Sequence, residues 1–146
     1  MERLPTKSAL RSRNIMVLSN LCVHCGNFVE TCEHIFVTCQ FAQVIWQNIA
    51  DWCRIPPIIA FDVKDLLDLH GGASNGRKKK KALHAVVLVT FWSLWKMRNE
   101  TVFRQASPCT TKILDEIKAL AYLWVKNRSK MAELTWEKWC RFEIIG

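Results

Sequence analysis

Residues 21–39 read LCVHCGNFVETCEHIFVTC, and this stretch decides how the first part of the chain folds. Four potential metal ligands within it follow the spacing C-x2-C-x8-H-x4-C: Cys22, Cys25, His34 and Cys39. Two residues between the first pair of thiols let both sulfurs face one ion across a tight turn, and Gly26 gives that turn backbone freedom. Three thiolates and one imidazole make a standard closed site for structural zinc, so the spacing predicts one bound Zn²⁺.

Other residues in the same stretch leave the ligand set open. Cys32 in place of His34 would give a site with four thiolates. His24 lies between two ligands that must point inward, so we expect its ring to face outward. Buried free thiols account well for Cys53, Cys109 and Cys140, but poorly for four ligands packed so closely.

The rest of the composition favours an intracellular protein. The chain has 146 residues, which is the size of one domain or of one domain with a small module attached. Its N-terminus is charged and lacks the apolar core of a secretory signal, so we expect a nuclear or cytoplasmic location rather than secretion. Seven cysteines in a reducing compartment point to metal binding rather than to disulfides.

Apolar spacing predicts a mainly α fold, in which a small zinc-knuckle module is followed by a helical bundle with one long core helix. Residues 35–37 suit a short strand or a knuckle turn. The stretch 82–95 is apolar nearly all round but too short to cross a bilayer, so we expect other helices to cover it. The predicted helices, with Thr6 capping the first and Asp62 the third, span residues 7–13, 41–53, 63–69, 79–103, 110–126 and 136–142.

These helices divide the chain into three predicted parts. Residues 1–54 form the zinc module with its following helix, and residues 55–81 form a short helix and a basic linker that is mobile around 72–76. Residues 82–146 form a helical hairpin and a short C-terminal helix. The short connection near residue 108 predicts that the two hairpin helices are antiparallel.

The net charge of +8 is concentrated in two places. Residues 1–20 and 76–104 together carry +10, which leaves −2 for the remainder. Local positive charge of this kind predicts contact with the phosphates of RNA or DNA, with little sequence preference. The candidate nucleic-acid-binding residues are Lys7, Arg11, Arg13, Arg77, Lys78, Lys79, Lys80 and Lys81.

The order of residues also resembles a known family. Leu4-Pro5-Thr6, the basic helix, Cys22-x-x-Cys25, Glu30-Thr31, His34-Ile-Phe36, Cys39 and Trp46 are similar to the zinc-binding domain found downstream of the polymerase in plant non-LTR (LINE-type) retrotransposon reverse transcriptases. The resemblance covers roughly residues 3–54 and assigns the four zinc ligands to Cys22, Cys25, His34 and Cys39. Residues 82–104 resemble the helical segment that often follows this domain.

The resemblance does not extend to an enzyme. A polymerase needs clustered aspartates that hold two divalent ions, and the sequence has no Asp-Asp pair. We therefore expect this chain alone to be a non-catalytic, zinc-binding and nucleic-acid-binding accessory module derived from a retrotransposon reverse transcriptase. The alternative is a zinc-stapled module that docks to another protein, such as the polymerase domain. Neither hypothesis involves a membrane.

Overall fold

The computed structural model describes residues 4–16, 19–69, 76–128, 131 and 133–144. A π-helical turn covers His34–Thr38, and the one β-bridge among these residues joins Leu21 to Val29. The predicted mainly α fold is confirmed. The α-helices of the described residues are α1 (Lys7–Ser12), α2 (Gln40–Cys53), α3 (Val63–Leu67), α4 (Arg77–Arg104), α5 (Thr110–Arg128) and α6 (Trp136–Cys140).

Two short helices begin at the capping residues that the sequence predicts. The Thr6 hydroxyl accepts a hydrogen bond from the Ala9 N–H at 3.1 Å, at the start of α1. At α3, Asp62 accepts from the Asp65 N–H at 2.9 Å, while the Asp65 carboxylate accepts from the Asp62 N–H at 3.3 Å. These bonds satisfy amides that the first turn of a helix leaves without partners.

Of the two alternatives for residues 35–37, the short strand is wrong, because this segment belongs to the π-helical turn. The Thr31 hydroxyl accepts from the His34 N–H at 3.1 Å, and the Cys39 N–H donates to the His34 carbonyl at 2.8 Å. An extended strand would separate His34 from Cys39 by about 16 Å. The wide turn instead brings two potential ligands to the same side, and it buries Ile35, Phe36 and Val37 completely.

Helix α4 starts at Arg77, two residues before the predicted boundary. The basic run 77–81 therefore forms its first turns and is not a linker. Most of the predicted mobile segment, residues 72–75, lies outside the described residues. No helix in the described ranges combines the length and the apolar character needed to cross a membrane.

Helices α4 and α5 are antiparallel, as predicted. Lys96 meets Glu116 at 2.8 Å near one end of the pair, and Lys81 lies beside Arg128 at the other. Of the α4 stretch 82–95 that was expected to be covered, residues such as Val87 and Leu94 are buried, but Trp92 is 53% exposed, so the expectation is wrong for that side chain. Trp139 of α6 is fully buried, and its indole N–H donates to the Lys118 carbonyl of α5 at 2.8 Å.

An aromatic cluster joins the cysteine-rich stretch to α4. The rings of Phe36 and Trp46 both pack edge-on against Phe91, with centroid distances of 5.1 and 5.6 Å. The Trp46 indole N–H also donates to the Phe36 carbonyl at 2.7 Å. Edge-to-face aromatic pairs stabilise a core by roughly 1 kcal/mol beyond their buried area, so this cluster fixes the stretch on the helical bundle.

Candidate metal centre

Four side chains of the cysteine-rich stretch converge on one point. The ligand atoms of Cys22, Cys25, His34 and Cys39 all lie within 4.8 Å of one another. The Cys22 and Cys39 sulfurs are 3.9 Å apart, and the Cys25 sulfur is 3.2 Å from His34 Nε2. Tetrahedral zinc, with bonds of about 2.3 Å to sulfur and about 2.0 Å to nitrogen, needs separations of about 3.8 and 3.5 Å. The donor set and its spacing therefore fit zinc.

A tight turn positions the first two cysteines. The Gly26 N–H donates to the Cys22 carbonyl at 2.8 Å, and the Cys22 N–H donates to the Phe28 carbonyl at 2.7 Å. Gly26 has a φ of 70°, in the left-handed region where a side chain is disfavoured. This glycine lets the chain reverse directly after Cys25, so that both thiols face the same point.

The histidine is oriented by a neighbour on the π-helical turn. His34 Nδ1 lies 3.1 Å from the Thr38 hydroxyl, which leaves Nε2 as the atom that faces the three sulfurs. A second hydrogen bond of this kind fixes the ring and tautomer of a histidine ligand. Burial also lowers the pKa of His34, which favours the neutral imidazole that a metal requires.

The hydrogen bond between two sulfurs makes Cys22 and Cys39 chemically unequal. This bond raises the pKa of Cys22, where burial acts in the same direction. It lowers the pKa of Cys39, against the effect of burial. A bound metal ion would take the place of the proton between these two sulfurs, because a metal binds cysteine in its thiolate form.

The two other candidates in the stretch lie outside the group of four ligand atoms. Cys32 is buried but does not belong to the group, and so the four-thiolate alternative has no support in this geometry. His24 also lies outside the group, but the expectation that its ring faces outward is wrong, because both ring nitrogens are buried. Its ring packs against Phe41 at 4.7 Å, and burial lowers the pKa of His24 to about 4.

A buried ion pair joins the cysteine-rich stretch 21–39, which we call the metal module, to α4. Arg98 Nη2 donates to Glu30 Oε1 at 2.6 Å and Nε donates to Oε2 at 3.2 Å, with the two side chains only 3% and 0% exposed. The Arg98 guanidinium also lies 4.7 Å above the ring of Trp95. The same Glu30 carboxylate accepts from the Lys7 N–H at 2.7 Å, which ties the start of α1 to this pair.

Two cations of the positively charged stretch 76–104, Arg98 and Lys96, are paired with carboxylates inside the fold. Arg98 is neutralised by Glu30, and Lys96 pairs with Glu116 at 2.8 Å. Nothing local in the sequence indicates the first pairing, because 68 residues separate its partners. Thr38 was also missed, although its position four residues after His34 is a signal once this segment is known to be helical.

The candidate nucleic-acid-binding residues fall into two groups. In α1, Arg11 and Arg13 are exposed, whereas the Lys7 ammonium donates to the Leu21 carbonyl at 2.8 Å. The start of α1 lies beside Arg98, since Arg98 Nη2 is 3.4 Å from the Pro5 carbonyl. The run 77–81 lies 17 to 21 residues earlier on α4, so about 25–30 Å separates it from the start of α1 along the helix axis.

The hydrogen bond from Thr38 gives a first testable prediction. Thr38→Val removes the partner of His34 Nδ1 and keeps the size of a side chain that is exposed. We expect zinc to remain at one per chain, with an affinity that is lower by about 10- to 100-fold. A competitive titration with a chromophoric chelator measures this change.

Thr111→Val is the matched control, because Thr111 is an exposed threonine at the start of α5. Equal zinc affinity for both variants and the unmodified protein would show that Thr38 does not orient the histidine.

Comparison with known proteins agrees with this geometry. Residues 1–46 match the family model described as zinc-binding in reverse transcriptase, a segment that includes all four clustered residues. The matched family and the donor set together identify zinc as the metal suited to this cluster. No curated protein and no solved structure matches the chain.

Proposed function

We propose that this chain is a zinc-dependent, nucleic-acid-binding accessory module derived from a retrotransposon reverse transcriptase, of the non-LTR type found in plants, and that it carries no catalytic step of its own. Cys22, Cys25, His34 and Cys39 hold the zinc ion. Four protein ligands close the coordination sphere, so the metal is structural and leaves no position for a substrate. Reduced thiols are required, which fits a site of action in the nucleus or the cytoplasm.

The observation that carries the nucleic-acid proposal is the charge at the start of α4. Five consecutive basic residues, 77–81, begin this helix, and its first turn contains no acidic residue. None of the five forms an ion pair within the described residues. Cations at a helix N-terminus are unfavourable because the helix dipole is positive there. Phosphates of RNA or DNA would relieve this repulsion, largely without regard to sequence.

The exposed groups at the other end of α4 support the same proposal less directly. The start of α1, at Pro5, lies about 25–30 Å from the run 77–81 along the axis of α4, so we treat Arg11 and Arg13 as a group separate from that run. Each group therefore contributes its own phosphate contacts. We expect about three to five contacts in total and weak binding, micromolar or poorer at physiological salt.

One observation favours docking to a protein as the second candidate function. Leu21, Phe28 and Val29 are exposed apolar side chains on the turn beside the metal cluster. Exposed apolar groups that adjoin one another often mark a protein interface. In this alternative, the turn would contact a reverse transcriptase polymerase domain.

Alanine at residues 78–81 tests the nucleic-acid proposal. We expect weaker binding of RNA and a flatter salt dependence, because each lost phosphate contact changes the slope of log K against log salt by about 0.7 to 0.9. Zinc content and melting temperature should not fall, since the replaced cations are unfavourable at this end of a helix. Fluorescence anisotropy with labelled RNA at several salt concentrations measures the slope.

The charge-matched control replaces four exposed cations elsewhere in the chain: Lys64, Lys112, Lys138 and Arg141. This control should retain more affinity than the variant of the basic run. Equal losses would mean that net charge alone drives association, and an absence of salt-dependent binding by the unmodified protein would favour docking instead.

A further inference from the structure

A groove runs along α4, and α5 borders two of its three hollows, whereas residues of α4 alone line the third. Three adjoining hollows, of about 240, 340 and 480 Å³, form it. The first two hollows share Trp124, and the second and third share Trp92. The groove extends on α4 from Lys81 to Arg104, a distance of about 35 Å along the helix. We call it the α4–α5 groove.

Aromatic rings beside cations recur along this groove. The Lys96 ammonium lies 5.2 Å from the ring centre of Trp92, and the Arg128 guanidinium lies 5.4 Å from that of Trp124. Trp92 is 53% exposed and Phe103 is 74% exposed, which is unusual for side chains of this size. An exposed indole next to a cation offers a partner for a base and a partner for the neighbouring phosphate.

The charge of the groove fits a polyanion. Four cations line it, and Glu100 is the only carboxylate among its lining residues. Lys96 is paired with Glu116 at 2.8 Å and with Glu100 at 3.9 Å, whereas Lys81, Arg104 and Arg128 form no ion pair within the described residues. At the first end of the groove, Lys81 is the last residue of the basic run 77–81, and Arg128 of α5 lines the same hollow. A nucleic-acid strand whose phosphates contact this run would therefore reach the end of the groove that contains Trp124.

From this arrangement we infer that the α4–α5 groove binds single-stranded nucleic acid by stacking bases on Trp92, Trp124 and Phe103. The inference rests on the proposed function and adds the site and the strandedness of the ligand. Bases in a duplex are already stacked on one another, so only a single strand can present its base faces to these rings. Contact with phosphates alone would not require the aromatic side chains.

An abasic strand separates stacking from charge, because it keeps every phosphate and lacks every base. With the zinc-loaded chain, we expect an oligothymidylate of about 15 nucleotides to bind roughly tenfold more tightly than an abasic strand of equal length. Trp92→Ala should weaken thymidylate binding by roughly tenfold and remove the difference between the two strands. Phe103→Ala, at a more exposed position, should act in the same direction and guards against a folding defect of the first variant.

Trp136→Ala is the matched control. Trp136 is 44% exposed, lies outside the groove and packs against Tyr122. This variant should bind both strands as the unmodified protein does. If binding depends on salt but does not distinguish the two strands, base stacking in the groove is refuted and the proposed function still holds. Equal losses of thymidylate affinity in the Trp92 and Trp136 variants would lead to the same conclusion. If neither strand binds to folded, zinc-loaded protein at low salt, the proposed function fails and the groove with it.

Discussion

Cys22→Ser is expected to abolish stoichiometric zinc binding and to unfold the segment that precedes α2. A structural zinc site contributes about 10 kcal/mol or more to the folding of a small module. That figure is comparable to the whole stability of a typical domain. Helix α1 buries none of its residues, so it has no core of its own to replace the lost metal. Metal analysis of purified protein gives the stoichiometry, and amide hydrogen exchange across residues 4–39 reports the unfolding.

Two further thiols provide controls for this experiment. Cys109 is exposed and Cys32 lies outside the group of four, so Cys109→Ser and Cys32→Ser should each retain one zinc per chain. Loss of zinc in the Cys32 variant would support the four-thiolate site instead. One equivalent of zinc in the Cys22 variant would refute the ligand assignment.

Arg98→Met is expected to lower the free energy of unfolding by about 3–5 kcal/mol, even though zinc remains bound. The substitution leaves the fully buried Glu30 carboxylate without its counter-charge, and a buried unpaired charge costs several kcal/mol. Glu30→Gln should cost a similar amount, because it leaves the arginine unpaired. Urea unfolding of the zinc-loaded protein measures both values.

The double variant and an exposed pair complete this test. Combining Glu30→Gln with Arg98→Met removes both charges, so the combined loss should be smaller than the sum of the two single losses. Lys96→Met breaks the half-exposed contact with Glu116 and should cost no more than about 1 kcal/mol. Equal costs for Arg98→Met and Lys96→Met would mean that the buried pair does not stabilise the fold.

The features that could be predicted from the sequence depend on nearby residues. Thr6 and Asp62 cap helices within three positions of themselves, and the apolar spacing along α2 follows from the helical repeat. The cluster of four potential ligands was predictable for the same reason, since these residues fall within 18 consecutive positions and their types suit zinc.

The features that could not be predicted depend on distant partners. Ile35, Phe36 and Val37 suit a strand by their residue types, but the need to bring His34 and Cys39 together selects a wide helical turn. The pairing of Glu30 with Arg98 becomes visible only when α4 is placed against the metal module. The α4–α5 groove needs the register of two helices, which charge and apolar spacing do not specify.

The aromatic and ionic contacts of α4 limit how the metal module can be transplanted. The segment that matches the family described as zinc-binding in reverse transcriptase ends at residue 46, inside α2. If this segment were expressed alone, it would lose the Phe91 ring that packs against Phe36 and Trp46. The Glu30 carboxylate would also lack its partner Arg98. A protein engineer who wished to graft the module onto another scaffold would have to graft α4 with it. The portable unit is therefore the zinc-binding stretch together with a helix that begins 77 residues into the chain.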